Sequence, residues 1–403
     1  MNKPFHQGIL IIERLEENGH EAYFVGGSVR DTLMNRVIGD IDIATSATPE
    51  EIQALFPKTI DVGAEHGTII VVTSDQESYE VTTFRTDGTY TDNRHPDNVT
   101  FVKSLEEDLK RRDFTMNAIA MTKNGKILDP FHGESDIKRR VIRTVGKATE
   151  RFKEDALRML RAVRFSSQLS FSVEADTFLG IQKDRALLEM VSVERKTMEM
   201  EKLLKGQGVK NALELLVTTG LYAFLPHFGE KGNRLRDLAK LPVYELKSRS
   251  ALWTLLVIVL EMDDAKGFLN SWKLPKKVSK SVQENLNVIN QYKEKGWAKE
   301  IIYRSGLEQS LEAHQVMRVL GWDKLGSSIQ IQKIYNSLPI HSLKDIVIDG
   351  HDLIKIAGEK RGKWIAMLYQ DLEMALVHEE LQNERAALKE WVCNWLQKYD
   401  QNY

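Results

Sequence analysis

The sequence predicts an α+β protein in which a mixed N-terminal head is followed by helices to the C-terminus. Short β-rich runs separated by turns occupy residues 20–147, whereas almost no such run and few prolines follow. At 403 residues, the chain is long enough for two to four domains. Helix breaks near residues 206–208, 229–233 and 275–297 lead us to predict four segments: a mixed α/β head (1–147), a helical neck (148–205), a helical body (206–300) and a helical tail (301–403).

Composition limits the classes of protein and partner. The formal charge is −2 and the pI about 6.6, so local basic patches would have to hold any nucleic acid. The single cysteine, Cys393, excludes a disulfide framework, and we expect it in the core of the last helix. Residues 1–19 are typical of an amphipathic helix rather than a signal peptide, and the apolar run 251–260 is too short to span a bilayer. We therefore expect a cytoplasmic protein without a membrane partner.

The head is predicted to be a set of short strands joined by turns. These strands are Ala22–Val25, Ile41–Ala44, Thr68–Thr73, Tyr79–Arg85, Val99–Val102 and Ile127–Asp129. Residues 85–96 are polar and rich in turn formers, which predicts a mobile loop. His66 and His95 lack a paired acid or a metal cluster, so we expect ordinary polar contacts for both.

A glycine pair, Gly26-Gly27, follows the first strand and precedes a short helix that carries Arg30. Glycines allow a turn too tight for a Cβ, and the free N–H groups at the helix start suit a triphosphate. Downstream, Asp40 and Asp42 alternate with isoleucines, so both carboxylates would share one strand face with Cα atoms about 6.6 Å apart. Such a pair suits two hard cations about 3.5–4 Å apart. The pattern predicts a two-metal site for phosphoryl transfer.

The order of strand, Gly-Gly, helix and Asp-x-Asp resembles the signature of the polymerase-β-like nucleotidyltransferase superfamily. The closest form is that of class II tRNA nucleotidyltransferases and bacterial poly(A) polymerases. The resemblance implies that Asp40 and Asp42 are catalytic and hold Mg²⁺, and that Gly27 and Arg30 bind the nucleotide. Asn35 stands where the family usually has glycine, but Asn tolerates the left-handed backbone that the turn requires.

Residues 110–118 match the family's second motif except for a Met/Ile exchange. By itself, the basic pair Arg111-Arg112 indicates either a charged helix start or a contact with the triphosphate or ribose. The resemblance favours the contact, and Arg112 is the residue we assign to it. Residues 129–136 resemble the third motif and are expected to form a structural turn. The sequence leaves open whether Glu80 is a third metal ligand.

In the neck, Asp155, Arg158, Arg161 and Arg164 recur every third residue, which places them on one half of a helix at about 100° per residue. Asp155 and Arg158 could form an exposed salt bridge worth a few tenths of a kcal/mol. Alternatively, a fixed carboxylate acceptor beside a guanidinium donor matches cytosine and adenine and opposes uracil and guanine. The segment resembles the Glu-Asp-x-x-Arg motif of class II tRNA nucleotidyltransferases. That resemblance implies that Asp155 and Arg158 select the base and that Arg161 and Arg164 bind the nucleotide.

The predicted function is the stepwise addition of C, C and A to a tRNA 3′ end from CTP and ATP, with release of pyrophosphate and without a nucleic-acid template. The alternatives are a poly(A) polymerase, a tRNA nucleotidyltransferase that adds only A, and an RNA-binding module with an inactive head. The intact pair Asp40 and Asp42 argues against an inactive head. A turn at residues 358–364 is either a contact with RNA phosphates or a helix connection. A homodimer is left open.

Overall fold

The computed structural model describes residues 5–88, 99–322, 327–357 and 364–402, except for the side chains of residues 87, 327 and 399–402. The chain forms two compact units. The N-terminal unit comprises Met1–Tyr244 with Ser271–Lys273, and the C-terminal unit comprises Glu245–Asn270 with Leu274–Tyr403. The four predicted segments are a finer division of the chain and stay a prediction.

The strands belong to the N-terminal unit. They are β1 (Ala22–Val25), β2 (Asp42–Thr45), β3 (Thr59–Gly63), β4 (Thr68–Val72), β5 (Ser78–Thr83), β6 (Arg85–Asp87), β7 (Val99–Phe101), β8 (Ala120–Met121), β9 (Ile127–Leu128), β10 (Val141–Ile142) and β11 (Ser172–Val173). The main sheet has the order β3-β4-β5-β2-β1-β8-β9. Its β2 and β5 are parallel, and its other neighbours are antiparallel. Two short ribbons pair β6 with β7 and β10 with β11.

Helices make up most of the rest of the N-terminal unit. They are α1 (His6–Glu17), α2 (Gly27–Leu33), α3 (Pro49–Leu55), α4 (Leu105–Lys110), α5 (Gly133–Arg139), α6 (Ala148–Glu154), α7 (Leu157–Leu169), α8 (Ala175–Asp184), α9 (Val193–Leu204), α10 (Val209–Thr218) and α11 (Gly232–Leu238). Short 3₁₀ turns lie at Ala64–His66, Thr115–Asn117, Arg185–Met190, Leu221–Phe224 and Val243–Glu245. As predicted, α1 is amphipathic and buries Ile11, Ile12 and Leu15.

The described part of the C-terminal unit is helical, with a 3₁₀ turn at Leu343–Asp345. Its helices are α12 (Arg249–Val259), α13 (Ala265–Ser271), α14 (Lys276–Lys295), α15 (Lys299–Val319), α16 (Ser327–Ser337), α17 (Gly350–Ile356), α18 (Trp364–Val377) and α19 (Arg385–Asn402). α15 is interrupted at Gly306, whose φ of 76° is not helical. Among the described helices, none has both the length and the apolar character needed to cross a membrane.

The register of the central strands brings the glycine pair next to the aspartates. Val25, the last residue of β1, lies opposite Asp42, the first residue of β2. Asp42 in turn lies opposite Glu80 on β5. Apolar residues packed beneath this end of the sheet hold it in place. They include Val25, Ala44, Phe84, Leu109, Ala118, Ala120 and Val145, each at most 2% exposed.

Several sequence-based expectations are wrong. We expected a helix break within residues 275–297, but α14 is continuous from Lys276 to Lys295 and ends only at Gly296, where φ is 67°. Strand β3 was not predicted, although its Ile60 and Val62 alternate with Asp61; both apolar side chains are largely exposed. Cys393 is exposed rather than buried in the core.

Candidate active site

A cavity of about 590 Å³ opens in the N-terminal unit between the central strands, α2, α7 and α9. It is lined by all the residues predicted for the site: Gly27, Arg30, Asp40, Asp42, Arg112, Asp155, Arg158, Arg161 and Arg164. The other lining residues are Gly26, Ser28, Asp31, Gly39, Arg111, Asp113, Asn117, Phe165 and Lys202. A larger cavity of about 990 Å³ in the C-terminal unit contains none of the predicted residues. The structure thus brings the predicted set together, while the chemical role of each member stays a prediction.

The two aspartates are placed by the start of β2. The strand begins at Asp42, so Asp40 lies just before it rather than within it as expected, because β1 ends at Val25 and offers no partner further along. The alternation nevertheless holds. Ile41 and Ile43 are buried, Asp40 is exposed and Asp42 is half-buried. Both carboxylates therefore reach the cavity from one side of the chain.

Gly26 allows the backbone to pass close to these groups. Its φ of 72° lies in the region that favours glycine. A Cβ at this position would lie 3.4 Å from Asp42 Oδ2 and 3.3 Å from Arg112 Nη1. Asn35, after α2, has a φ of 53°, which confirms that it takes the left-handed conformation expected of it. The Gly26 turn thus brings the backbone close to the Asp42 carboxylate and the Arg112 guanidinium.

The electrostatics of Asp42 suit a bound cation. Burial raises the pKa of its carboxyl to about 6, the charges of Glu80 and Asp40 add to the rise, and Arg112 opposes it. Over the described ranges, no group of three or more His, Cys, Asp or Glu side chains forms a metal site. Mg²⁺ is commonly held by one or two carboxylates, with water and substrate phosphate completing its shell. The Asp40 and Asp42 pair fits that kind of site, and a third-ligand role for Glu80 stays open.

Arg30 is fixed before any ligand binds. Its Nε and Nη2 donate to Asp31 Oδ1 at 3.0 and 2.9 Å, and its Nη1 donates to Asn117 Oδ1 at 2.7 Å. The guanidinium carbon lies 5.2 Å from the centre of the Phe165 ring. These contacts leave part of the donor set of Arg30 facing the cavity.

A buried carboxylate that the sequence analysis missed, Asp108, holds the two arginines of the second motif. Its Oδ1 accepts from Arg111 Nε and Nη2 at 2.9 and 2.8 Å, and its Oδ2 accepts from Arg112 Nη2 at 3.1 Å. Burial alone would raise the pKa of Asp108, but the charges of the two arginines outweigh it and lower the pKa. The backbone N–H of Arg85 on β6 also donates to Asp108 Oδ1, at 3.4 Å. Asp108 therefore fixes the arginines and ties them to β6.

Asp155 and Arg158 do not pair with each other, so the exposed salt bridge considered above is wrong. We predicted one continuous helix through Asp155, but the structure interrupts it there, between α6 and α7. Asp155 Oδ1 accepts from the Leu157 N–H at 3.1 Å. Arg158 donates from Nη1 to Glu154 at 2.6 Å and from Nη2 to the Arg111 carbonyl at 2.9 Å. Their side chains are 15% and 10% exposed. Each is held separately at the wall of the same cavity.

The sequence analysis also missed Arg195 on α9, which forms two hydrogen bonds with the Asp155 carboxylate. Nη1 donates to Oδ1 at 3.1 Å and Nη2 donates to Oδ2 at 2.6 Å. One turn later, Glu199 Oε2 accepts from Arg164 Nε at 2.8 Å, and its Oε1 lies 3.8 Å from Arg161 Nη1. Helix α9 thus supplies counter-charges to Asp155 and to two arginines of α7. Arg195 lies forty positions after Asp155, and Glu199 lies 35 positions after Arg164, so no local sequence pattern could have revealed these pairs.

Asp113 links the head to α7. Its Oδ2 accepts from Arg161 Nε at 2.8 Å, and its Oδ1 accepts from Asn117 Nδ2 at 3.0 Å. Burial would raise the pKa of Asp113, but the charge of Arg161 and these hydrogen bonds lower it to about 2. The Arg164 guanidinium carbon stacks 3.5 Å from the centre of the Phe165 ring. The arginines of the site are therefore preorganised by carboxylates and one aromatic ring.

Comparisons with known families match most of the chain in three parts. Residues 22–143 match the poly A polymerase head domain. Residues 170–230 match the probable RNA and SrmB-binding site of polymerase A, and residues 244–392 match the putative domain 2 of tRNA nucleotidyltransferase.

Full-length relatives decide between the members of this superfamily. The CCA-adding enzyme of Geobacillus kaustophilus is 46% identical over 404 residues, covering 100% of both chains. That of Bacillus subtilis is 47% identical over 396 residues, covering 97% of this chain and 98% of the relative. The chain belongs to the CCA-adding enzyme family. It is therefore a nucleotidyltransferase, as predicted.

Solved CCA-adding enzymes share the fold. The Bacillus stearothermophilus CCA-adding enzyme in complex with CTP matches with a TM-score of 0.93 and 43% identity, covering 100% of both chains. The Thermotoga maritima CCA-adding enzyme complexed with tRNA_CCA is 21% identical, with a TM-score of 0.66, over 98% of this chain and 96% of that one. This second likeness concerns the fold alone. The predicted α+β class, with a sheet-containing head and helices after it, is confirmed.

Other predicted features of this CCA-adding enzyme have separate outcomes. The third motif is structural as expected: Asp129 accepts from the Gly133 and Glu134 N–H groups at 2.7 and 2.9 Å at the start of α5. Residues 85–87 of the predicted loop 85–96 instead form strand β6, and residues 89–96, including His95, lie outside the described residues. The same holds for residues 358–363 of the C-terminal turn. His66 is not among the residues that line the cavity.

Proposed function

We propose that this CCA-adding enzyme adds C, C and A in turn to the 3′ end of a tRNA in the cytoplasm, using CTP and ATP. The observation that carries the proposal is that two groups able to read a base, Asp155 and Arg158, line one cavity with the paired carboxylates Asp40 and Asp42. Relatives that are 46% and 47% identical over nearly the whole chain carry the CCA-adding name, which supports this assignment.

Asp40 and Asp42 would hold Mg²⁺. When bound, such ions supply Lewis-acid stabilisation of phosphoryl oxygens and lower the pKa of a coordinated hydroxyl. The protein's part is to keep two carboxylates at the start of the central strand β2, with Gly26 giving the backbone room to pass beside them. Because the carboxyl of Asp42 has a raised pKa, it gains more from a nearby cation than an ordinary surface carboxylate does.

Arginines around the glycine pair would bind the triphosphate. Arg30 and Arg112 line the cavity beside Gly27, and both are held in place by carboxylates. The buried Nε–H of Arg112 has no hydrogen-bond partner within the described structure. An unsatisfied donor on a fixed guanidinium is a group that an anionic oxygen would stabilise. These charges need no reorganisation when negative charge develops on the leaving pyrophosphate.

Asp155 and Arg158 would choose the base. A carboxylate oxygen accepts more than one hydrogen bond, so Asp155 can bind Arg195 and still accept from an exocyclic amine. Arg158 has donors beyond those directed at Glu154 and at the carbonyls of Arg151 and Arg111, and one of them can reach a ring nitrogen. Cytosine and adenine share that amine and nitrogen pattern, whereas uracil presents a carbonyl to Asp155. The protein itself would thus replace a nucleic-acid template.

A direct assay tests the proposal. Purified protein is incubated with tRNA lacking its 3′ CCA, with CTP alone, ATP alone or both, and the products are sized. We expect two additions with CTP alone and three with both nucleotides, and Asp40→Ala serves as the inactive control. A long A tail would indicate a poly(A) polymerase. Addition only of A to tRNA that already ends in CC would indicate an A-adding enzyme. Binding without any addition would indicate an inactive head.

A further inference from the structure

Helix α9 presents three charged side chains on one face. Arg195, Glu199 and Lys202 are spaced by four and three residues, which places them within about 60° of each other around the helix. The first binds Asp155, and the second binds Arg161 and Arg164. Lys202 lines the same cavity but takes no part in that network.

Lys202 differs from the other cations of the cavity in having no counter-charge. Each arginine that lines the cavity is paired with a carboxylate of the same unit. Lys202 is exposed, and it forms no ion pair or hydrogen bond in the part of the chain that the structure describes. One cation of the described lining is therefore uncommitted and open to an anionic partner.

We propose that Lys202 is a substrate-binding residue that contacts a phosphate group. The proposal rests on the function proposed above and extends it to a residue outside every motif of the sequence analysis. Lysine binds phosphate as a compact point charge on a flexible stem, which suits an exposed position at the cavity wall. Seven residues of helix place Lys202 about 10 Å along α9 from Arg195, the residue that holds the base-selecting Asp155. That separation directs Lys202 to a phosphate rather than to the pairing edge of the base.

Two sources of phosphate satisfy this geometry: the triphosphate of the incoming nucleotide and a phosphodiester near the 3′ end of the RNA. Binding measurements separate them. The affinity for CTP without RNA reports the triphosphate. The affinity for tRNA lacking CCA, measured from about 50 to 200 mM salt, reports the phosphodiester, because each lost contact lowers the log–log salt slope by about 0.7–0.9.

The variants are Lys202→Gln and Lys202→Arg, with Lys183→Gln as the control. Lys183, on α8 of the same unit, is likewise exposed and without an ion pair within the described structure, but it does not line the cavity. We expect Lys202→Gln to weaken the binding of one of the two ligands about fivefold to tenfold, Lys202→Arg to retain most of the affinity, and Lys183→Gln to match the wild type. A change in the CTP affinity assigns Lys202 to the triphosphate, and a change in the RNA affinity and salt slope assigns it to the phosphodiester.

The proposal is overturned if Lys202→Gln binds both CTP and tRNA as the wild type does. A lower kcat with both affinities unchanged also overturns it, because a phosphate contact must appear in one of them. Equal losses in Lys202→Gln and Lys183→Gln would show a general charge effect and count against it too. If the wild type adds no nucleotides to tRNA, the proposed function fails, and the wild-type arm reveals this before any variant is compared.

Discussion

Replacing Arg195 tests whether the orientation of Asp155 matters for catalysis. Arg195→Met keeps much of the side chain's bulk and removes both hydrogen bonds to the Asp155 carboxylate. Within the described structure, Asp155 would then keep only the hydrogen bond from the Leu157 N–H. A carboxylate held by one bond at the junction of α6 and α7 can rotate away from the base, so selection of C and A should weaken.

The structure gives the size of the effect. We take about 3 kcal/mol for the two charge-assisted hydrogen bonds together, which is the lower end of the range for a pair of such bonds. The two side chains are 23% and 15% exposed, so water replaces part of the lost interaction. A loss of about 1.5–2 kcal/mol remains, which corresponds to a fall of about 10-fold to 30-fold in kcat/KM for CTP and for ATP. Arg195→Lys keeps the charge but not the planar guanidinium that binds both carboxylate oxygens, so it should lose about half of that free energy.

The assay is single-nucleotide addition to matched tRNA ends, with CTP, ATP and UTP compared for each variant. Arg236→Met is the control, because Arg236 forms an ion pair in the same unit, with Glu214 at 3.3 Å, but both side chains are nearly half exposed. Such a surface pair contributes little, so activity should match the wild type. Unchanged kcat/KM and unchanged discrimination against UTP in Arg195→Met would refute the reasoning. A lower melting temperature alone would assign Arg195 to folding instead.

Three further predictions follow from the site and the charge distribution. Asp42→Ala should abolish nucleotide addition while tRNA affinity stays nearly unchanged, measured by product sizing and by filter binding; near-normal turnover would contradict the metal assignment. The pKa of Asp113 is lowered to about 2, so its ion pair should contribute about 2 kcal/mol of stability above pH 4 that is lost as the pH falls from about 4 to 2. Denaturant unfolding of Asp113→Asn should lack that part of the pH dependence, and an identical profile would argue against it. Affinity for tRNA should fall with salt at a log–log slope of several units and be similar for different tRNAs, because a chain with a pI near 6.6 must use local basic patches; salt-independent binding would contradict this.

Much of the site could be predicted because its residues are close in sequence and their chemistry is local. The tight turn at Gly26, the alternation around Asp42 and the three-residue spacing of the α7 arginines each follow from backbone geometry. The strand β1 was predicted with its exact bounds, since an apolar run ends at a glycine pair. In these stretches the local pattern and the final fold agree.

The parts that could not be predicted depend on distant partners. Asp155 was expected within a helix beside Arg158, but Arg195, forty residues later, holds it at a break between two helices. Asp108 resembled any acidic residue in a charged helix, and only the fold shows that its side chain is 1% exposed and holds two arginines. A long-range ion pair leaves no periodic signal in the sequence. The structure therefore adds to the predicted site the residues that supply its counter-charges.

The measurement that tests base selection by the protein most directly is the kcat/KM of all four nucleotides for Asp155→Asn and Asp155→Ala on one truncated tRNA. An Asn side chain can turn an amide N–H toward a carbonyl, so Asp155→Asn should lose C and A incorporation and gain measurable use of UTP or GTP. Asp155→Ala should lose activity without gaining a new substrate. If both variants keep the wild-type preference for C and A, Asp155 does not read bases and the account of template-free selection is wrong.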